Sequence, residues 1–345
     1  CSNNNKRAIS VELSTEAGRG IALELIAASD LVMENFSPRV MENFGLEWDA
    51  VAVANPHAVM VRMPAFGLDG PWRDRVGFAQ TMEQATGMAW MTGHSDGPPV
   101  IPRGVCDPMA GLHASFAAVA ALVIRDRDGV GMHVESTMVE SALNVAAEML
   151  VEYSRNGIQM RRDGNRGPGA SPQGVYRAQG DSEGDSEGDD AWVAIAALDP
   201  AARVSLASLI GQPELREGDW RERADEIDKL ISDWTARRSV AAAVDVLRAS
   251  GVAAAPLVAP ASLLSDPQLL ARGFWETVDH PVAGSFLCTG MPFVFVGKPR
   301  RWIRRVPPLY GQHTGEVLMG VLGHGEQELA ALRESGATSA RPAGL

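Results

Sequence analysis

Cysteine is scarce in this chain. Three occur in 345 residues, at positions 1, 106 and 288. That is too few, spaced too widely, for a disulfide framework, so an apolar core must hold the fold and a reducing, cytoplasmic compartment is expected. The seven histidines are scattered. None forms an HxxxH pair and no CxxC occurs, so no metal is expected. Long basic runs are also missing, and 31 basic against 43 acidic side chains leave a net charge of -12. That balance excludes a nucleic-acid groove and an anionic membrane surface as partners, while leaving room for a small anionic ligand held by a few local donors. No apolar run reaches the roughly 18 residues of a membrane span. The longest, 114–124, reads as a buried helix. The opening stretch CSNNNKRAISVEL lacks the pattern of a signal peptide. The glycines of GNRGPGA fit neither GxGxxG nor a P-loop, so no nucleotide fingerprint is present.

What is present is the make-up of a globular protein, with 46% hydrophobic and 21% charged residues. A chain this long exceeds one ordinary compact core, so one large or two moderate domains are expected. Residues 8–13 read as a strand. Ser14 or Thr15 can cap a helix over 16–28, and DLVMENF then reads as a strand ending at Asn35-Phe36. The stretch WDAVAVANPHAVMVRM repeats the pattern, with a helix, Asn-Pro as breaker, and a strand over 58–63. Helices are expected over 78–91, from just after Asp107 to about 125, and over 136–156, with a strand at 132–135. This alternation implies α/β architecture with a doubly wound parallel sheet. Residues 161–190 form a Gly/Pro-rich and acidic linker that contains the repeat GDSEGDSEGDD, read as a solvated turn. Beyond it, AWVAIAAL, VAAAPLV and GSFLCTGMPFVF read as strands of a second unit. Helices are expected near 201–210, 221–236 and 240–250, and two more close the chain.

One short stretch carries chemistry. In CDPMAGLHASFAAVAAL, Asp107 precedes Pro108, the pattern of a helix N-cap followed by proline at the first helical position. A helix N-terminus also keeps a carboxylate ionised, which a carboxylate nucleophile needs. Local pattern alone favours the cap, and the two roles are compatible. Cys106 is the rival nucleophile, but a lone cysteine needs a nearby base or cation, and His113 lies six residues on, on a different part of the helix surface. Asn35-Phe36 sits at a parallel strand end, where ligands of α/β sheets bind; an Asx turn with an anchoring Phe is the plainer reading. The basic pair after Asn5 could contact phosphate or simply be exposed.

Taken together, the stretches NKRAISVELSTEAGRG, DLVMENFSPRVMENFGLEWDAV, NPHAVMVRMPAFGLDGPW, CDPMAGLHASFAAVAAL, GMHVESTMVESALN, GNRGPGASPQGVYR, LRASGVAAAPLV, SDPQLLARGFWE and PPLYGQHTGEVL resemble, in order and over nearly the whole chain, the class III CoA-transferases. That family includes formyl-CoA and carnitine-CoA transferases and α-methylacyl-CoA racemase. The resemblance implies that Asp107 is the catalytic carboxylate, forming an acyl-aspartyl anhydride and then an aspartyl-CoA thioester. It implies CoA contacts at Asn35, Phe36 and Ser37 and near Val11 and Ser14, and a mobile glycine loop at Gly164, Gly167 and Gly169 that shields intermediates from water. It also implies a Rossmann-like large domain over 1–160, a small domain over 191–295, a C-terminal return over 296–345, and an interlocked homodimer. The substrates would be an acyl-CoA thioester and a free carboxylic acid, with no permanently bound cofactor.

The chain departs from the family at several places. Asn43 stands where formyl-CoA transferases carry a basic residue, and Ala79 where they carry an active-site Glu. Phe78, one residue after Gly77, stands where the racemase branch has His, which disfavours proton shuttling. Family members open with a strand–helix–strand unit, and this sequence is read as beginning after it. The alternatives are therefore a racemase-type isomerase and a non-catalytic CoA-binding remnant.

Overall fold

The computed structural model describes residues 2–167, 171–180, 190–215 and 218–340. Internal contacts divide the chain into two units. One comprises residues 1–88, 101–158 and 266–345, and the other 89–100 and 159–265.

The first unit opens with a correction. Residues 8–13 join no sheet. Their polar backbone is met by the C-terminal return instead. Ala8 exchanges bonds with His313 (2.8 and 3.2 Å), the Ser10 N–H donates to Thr314 Oγ1 (3.0 Å), and the Glu12 N–H to the Ala337 carbonyl (2.9 Å). With side-chain and turn acceptors satisfying the segment, no ladder is required. Helix α1 (Glu16–Ala27) starts as expected at Thr15, whose hydroxyl accepts the Gly18 N–H at 3.0 Å. Then follow β1 (Leu31–Glu34), α2 (Pro38–Phe44), α3 (Trp48–Ala54) and β2 (Val59–Arg62).

Every residue of β2 is buried, because helices cover both of its faces. Successive side chains of a strand point to opposite faces. Met60 therefore joins Ile26, Met41 and Val51 beneath α1–α3, while Val59 and Val61 meet Ala114, Ala118 and Ala121 on the other side. Each buried Val, Ile or Met among these contributes about 1.5–3 kcal/mol.

The helix expected over 78–91 is broken at Thr86-Gly87 into α4 (Ala79–Ala85) and α5 (Met88–Met91). Gly87 takes φ +85°, outside the helical region. Helix α6 (Cys106–Asp128) runs a little past the expected 125 and ends at Gly129, in the left-handed conformation. Strand β3 (Met132–Glu135) completes a parallel sheet of order β1-β2-β3. Gly131 enters it where a Cβ would lie 2.3 Å from the Ala58 carbonyl oxygen, so only glycine fits without backbone movement. The expected 136–156 helix is likewise two, α7 (Met138–Val145) and α8 (Ala147–Asn156). They divide at Ala146, whose ψ of 10° leaves the helical range. Gly157 closes α8.

The second unit is built on an antiparallel sheet. Strand β4 (Gln173–Arg177) lies inside the stretch expected as a linker, because it pairs with β5 (Trp192–Ala196); α9 (Pro200–Leu209), α10 (Asp219–Glu222), α11 (Ala224–Thr235), α12 (Val240–Ala249) and β6 (Ala253–Pro256) follow. The helix expected over 221–236 breaks at Arg223 (φ −109°, ψ 27°). Leu206, Ile227, Ile231 and Leu247 pack against Val193 and Ile195 as its core.

The chain then returns to the first unit with α13 (Pro267–Ala271), the hairpin β7 (Trp275–His280) and β8 (Gly284–Thr289), α14 (Thr314–Gly320) and α15 (Glu326–Glu334). The hairpin thus belongs with the first unit, not with a small domain running to 295. The reason is local. Glu276 of β7 accepts the Trp302 and Ile303 N–H groups, and the Asn5 side chain accepts those of Arg304 and Arg305, tying residues 302–305 to the start of the chain.

Helix α6 corrects a further expectation. Its alanine face is buried, but Leu112, Phe116, Val119 and Val123 form an exposed apolar stripe, with Phe116 79% accessible. Only one side of the helix packs on the sheet. By length and composition alone α6 is apolar enough to cross a membrane, which no single apolar run in the sequence suggested.

Candidate active site

The carboxyl ends of β1, β2 and β3 align in register, with Glu34 beside Arg62 and Arg62 beside Glu135. Ligands of parallel α/β sheets bind outside these ends. Glu34 and Arg62 form an ion pair at 2.6 Å, with both side chains only 5% exposed. The pair also fastens the turn that follows β1. The second Glu34 oxygen accepts the Phe36 N–H (2.8 Å), and Arg62 donates to the Pro38 carbonyl (3.0 Å). Asn35 and Phe36 are exposed on this held turn, and Ser37 stands at the start of α2 without a side-chain cap bond.

Val11 and Ser14 lie apart from that turn in sequence, on the segment leading into α1. Val11 packs against Ile21 and Leu318. The exposed Ser14 bonds to Glu12 through both its hydroxyl (2.6 Å) and its N–H (3.1 Å). These bonds hold the Glu12 carboxyl below the usual range, the hydroxyl contact being the stronger cause.

Asp107 does not cap its helix. Helix α6 begins at Cys106, with Val105 already in helical conformation (φ −67°, ψ −26°), so Asp107 lies inside the first turn. Its side chain is exposed, and among the described residues none forms a hydrogen bond or ion pair with it. The turn ahead of the helix is held by another carboxylate. Glu83, on the buried side of α4 and wholly inaccessible, accepts the Arg103 N–H at 3.0 Å through one oxygen and those of Gly104 and Val105 at 2.6 and 2.7 Å through the other.

Cys106 is 1% exposed and packs with Ala79, Met82 and Ala142. Its Sγ lies 3.7 Å from the Met88 sulfur. Burial, with Glu83 and then Asp107 adding negative charge nearby, pushes the thiol up to about 11. A thiol held protonated at neutral pH is a poor nucleophile. His113 turns its Nδ1 toward the Met109 carbonyl of its own helix (2.9 Å). Ala79 is buried, whereas Phe78 and Asn43 are exposed.

The glycine segment belongs to the second unit. The Gly164 N–H donates to the Gly93 carbonyl (2.8 Å), and Arg166 pairs with Asp225 and Asp228, each at 2.6 Å. Tyr176 donates to the other Asp228 oxygen (2.6 Å), and burial followed by that carboxylate holds its phenol well above the ordinary range. Gly164 and Arg166 line a groove floored by Gly174, Ala194 and Ala254. Gly167 is close to the Gln173 side chain. Gly169 and the GDSEGDSE repeat lie outside the described residues. Among the described residues no group of three or more His, Cys, Asp or Glu side chains is placed to hold a metal.

Glu34, Arg62 and Glu83 were not singled out from the sequence. The signal existed. Glu34 and Arg62 each interrupt an apolar strand at its carboxyl end, and Glu83 falls on the helix face that Ala79 and Met82 bury.

The chain is similar to several known proteins. A sequence model described as CoA-transferase family III matches residues 1–314. The chain is 31% identical over 337 residues to a succinyl-CoA–D-citramalate CoA-transferase of Chloroflexus aurantiacus, covering 95% of this chain and 81% of that protein. It is 30% identical over 355 residues to a formyl-CoA:oxalate CoA-transferase of Streptomyces avermitilis, covering 97% and 84%. A CAIB/BAIF family protein from Brucella suis superposes with a TM-score of 0.79 at 25% identity, covering 92% of this chain and 82% of that one. The chain belongs to CoA-transferase family III.

Proposed function

We propose that this enzyme transfers CoA between an acyl-CoA thioester and a free carboxylic acid through covalent intermediates on Asp107. The observation that carries the reading is the free state of that carboxylate. It is exposed in the first turn of α6, without a side-chain partner among the described residues, beside a thiol held protonated.

An Asp107 oxygen attacks the donor thioester carbonyl and CoA leaves as thiolate, giving an acyl-aspartyl anhydride. The thiolate attacks the aspartyl carbonyl, which releases the donor carboxylate and forms an aspartyl-CoA thioester. The acceptor carboxylate then displaces CoA from that carbonyl, and the thiolate attacks the acceptor acyl carbon of the second anhydride. Acceptor acyl-CoA departs and Asp107 is regenerated. No water or net proton is consumed, and each step exchanges one activated acyl group for another. A carboxylate nucleophile of this kind needs no general base to remove a proton before attack.

In this reading Asn35, Phe36 and Ser37, fixed by the Glu34–Arg62 pair, hold CoA together with Val11 and Ser14. The segment bearing Gly164, Gly167 and Gly169 shields the intermediates from water. The first unit is a Rossmann-like domain, and the enzyme is a cytoplasmic, interlocked homodimer with no resident cofactor. The exposed stripe of α6 is the face a second copy would bury. Racemisation would need a second acid–base group, and Phe78 supplies none. The named transferases, matched along at least 95% of this chain, support catalysis over a non-catalytic remnant.

The test is trapping with hydroxylamine. The protein is incubated with acyl-CoA donors beginning with succinyl-CoA and formyl-CoA, and the peptide containing Asp107 is analysed by mass spectrometry. A hydroxamate on Asp107, absent from Asp107→Asn, is the expected result. An unmodified Asp107 with every donor, in folded protein, overturns the mechanism.

A further inference from the structure

Glu83 is a buried carboxylate that the transfer mechanism does not use. Among the described residues no lysine or arginine side chain pairs with it; its partners are three consecutive backbone N–H groups, of Arg103, Gly104 and Val105. Burying an ionised group without such bonds is costly, so the three bonds and the turn that supplies them depend on each other. The turn is unusual in itself. Arg103 has φ +72° and Gly104 φ +104°. A left-handed arginine is strained, and such a conformation persists only where its surroundings hold it.

The turn delivers Val105 in helical conformation, so that its carbonyl accepts the Met109 N–H (3.3 Å) and α6 starts at Cys106. Were the turn released, the local Asp-Pro pattern would favour a start at Pro108, with Asp107 as N-cap. Its carboxylate would then bend back onto helix N–H groups and lose its reach.

Resting on the transferase reading, we propose that Glu83 is the positioning residue for Asp107. It captures the backbone of residues 103–105, starts α6 ahead of Asp107, and so keeps that carboxylate out of the cap and free for attack. Glu83 touches no substrate and acts through the turn.

The experiment compares wild type, Glu83→Gln and Glu83→Ala by single-turnover acylation of Asp107, steady-state kinetics and peptide-resolved amide hydrogen exchange. The glutamine carbonyl can still accept the Gly104 and Val105 N–H groups, but its amino group opposes that of Arg103. A nucleophile displaced by about 1 Å loses roughly 100-fold in rate. Acylation and kcat should fall by about that factor in Glu83→Ala and by about tenfold in Glu83→Gln, with the acyl-CoA KM changed less than about threefold, since the Asn35–Ser37 turn is untouched. Exchange at amides 103–105 should quicken in both variants. Unchanged exchange there in Glu83→Gln overturns the proposal, as does full kcat in either folded variant or a loss confined to KM. If Glu83→Ala does not fold, Glu83→Gln, which keeps shape and volume, decides alone. Failure of the transferase reading looks different: wild-type Asp107 would form no hydroxamate with any donor, while exchange would still report whether Glu83 holds the turn.

Discussion

The Glu34–Arg62 pair offers a sharp test of how this fold supports its candidate CoA turn. Both side chains are about 95% buried and meet at 2.6 Å. Arg62→Met removes the cation and, among the described residues, leaves the Glu34 carboxylate with the Phe36 N–H as its partner. Breaking a buried ion pair from one side costs about 3–5 kcal/mol, because the remaining charge stays in a low-dielectric site. That is a large share of the roughly 5–15 kcal/mol that holds a folded domain together. At about 2–4 °C per kcal/mol for a unit of this size, the melting temperature should drop by about 6–20 °C. Glu34→Leu should cost a similar amount, since among the described residues it leaves the guanidinium bonded to the Pro38 carbonyl and to no carboxylate. The double variant Glu34→Leu/Arg62→Met should recover most of the loss, because apolar side chains of like volume replace the pair without desolvated charge. Denaturant titration of the four proteins gives the coupling energy, expected above about 2 kcal/mol. CoA affinity, measured by calorimetry, should weaken in the single variants as the Asn35–Ser37 turn loosens. A loss below about 1 kcal/mol for Arg62→Met, or a double variant equal to the sum of the singles, would refute this reasoning.

Two further predictions concern α6. The Cys106 thiol is raised from its ordinary 9.0 to about 11 in the folded protein. The unfolded chain therefore releases its proton first, so this group's contribution to stability is intact below pH 9 and is lost as pH rises from about 9 to 11. Cys106→Ala should flatten the fall in stability over that window, and native Cys106 should resist alkylation at neutral pH; rapid labelling of folded protein would contradict the assignment. Phe116→Asp places a charge on the exposed apolar stripe and should convert the proposed homodimer to monomers in analytical ultracentrifugation. An unchanged sedimentation mass would remove this face from the interface.

Much of the architecture was legible in the sequence because it follows from local periodicity. The strands β1, β2 and β3, the helix α1 with its Thr15 cap, and the end of α8 at Asn156 all express rules that act within a few residues. Three expected helices broke at local departures of the backbone, at Gly87, Ala146 and Arg223, and the other errors arose where distant partners decided the outcome. Residues 8–13 have the pattern of a strand, but His313, Thr314 and Ala337 take their hydrogen bonds. The hairpin after β7 was placed with the second unit, and Glu276 ties it to the first.

By itself the sequence determined the α/β class, the alternation that builds the parallel sheet, and Asp107 as the carboxylate to watch. It could not determine that residue's role, because an Asp before a Pro at a helix start reads the same whether it caps or stands free. Tertiary structure decided that point. A carboxylate 24 residues earlier in the chain, carried on a separate helix, takes up the N–H groups ahead of α6, and Asp107 has no side-chain partner among the described residues. Hydrogen-bonding demand is local to each group, but which group satisfies it is settled only when the chain has packed.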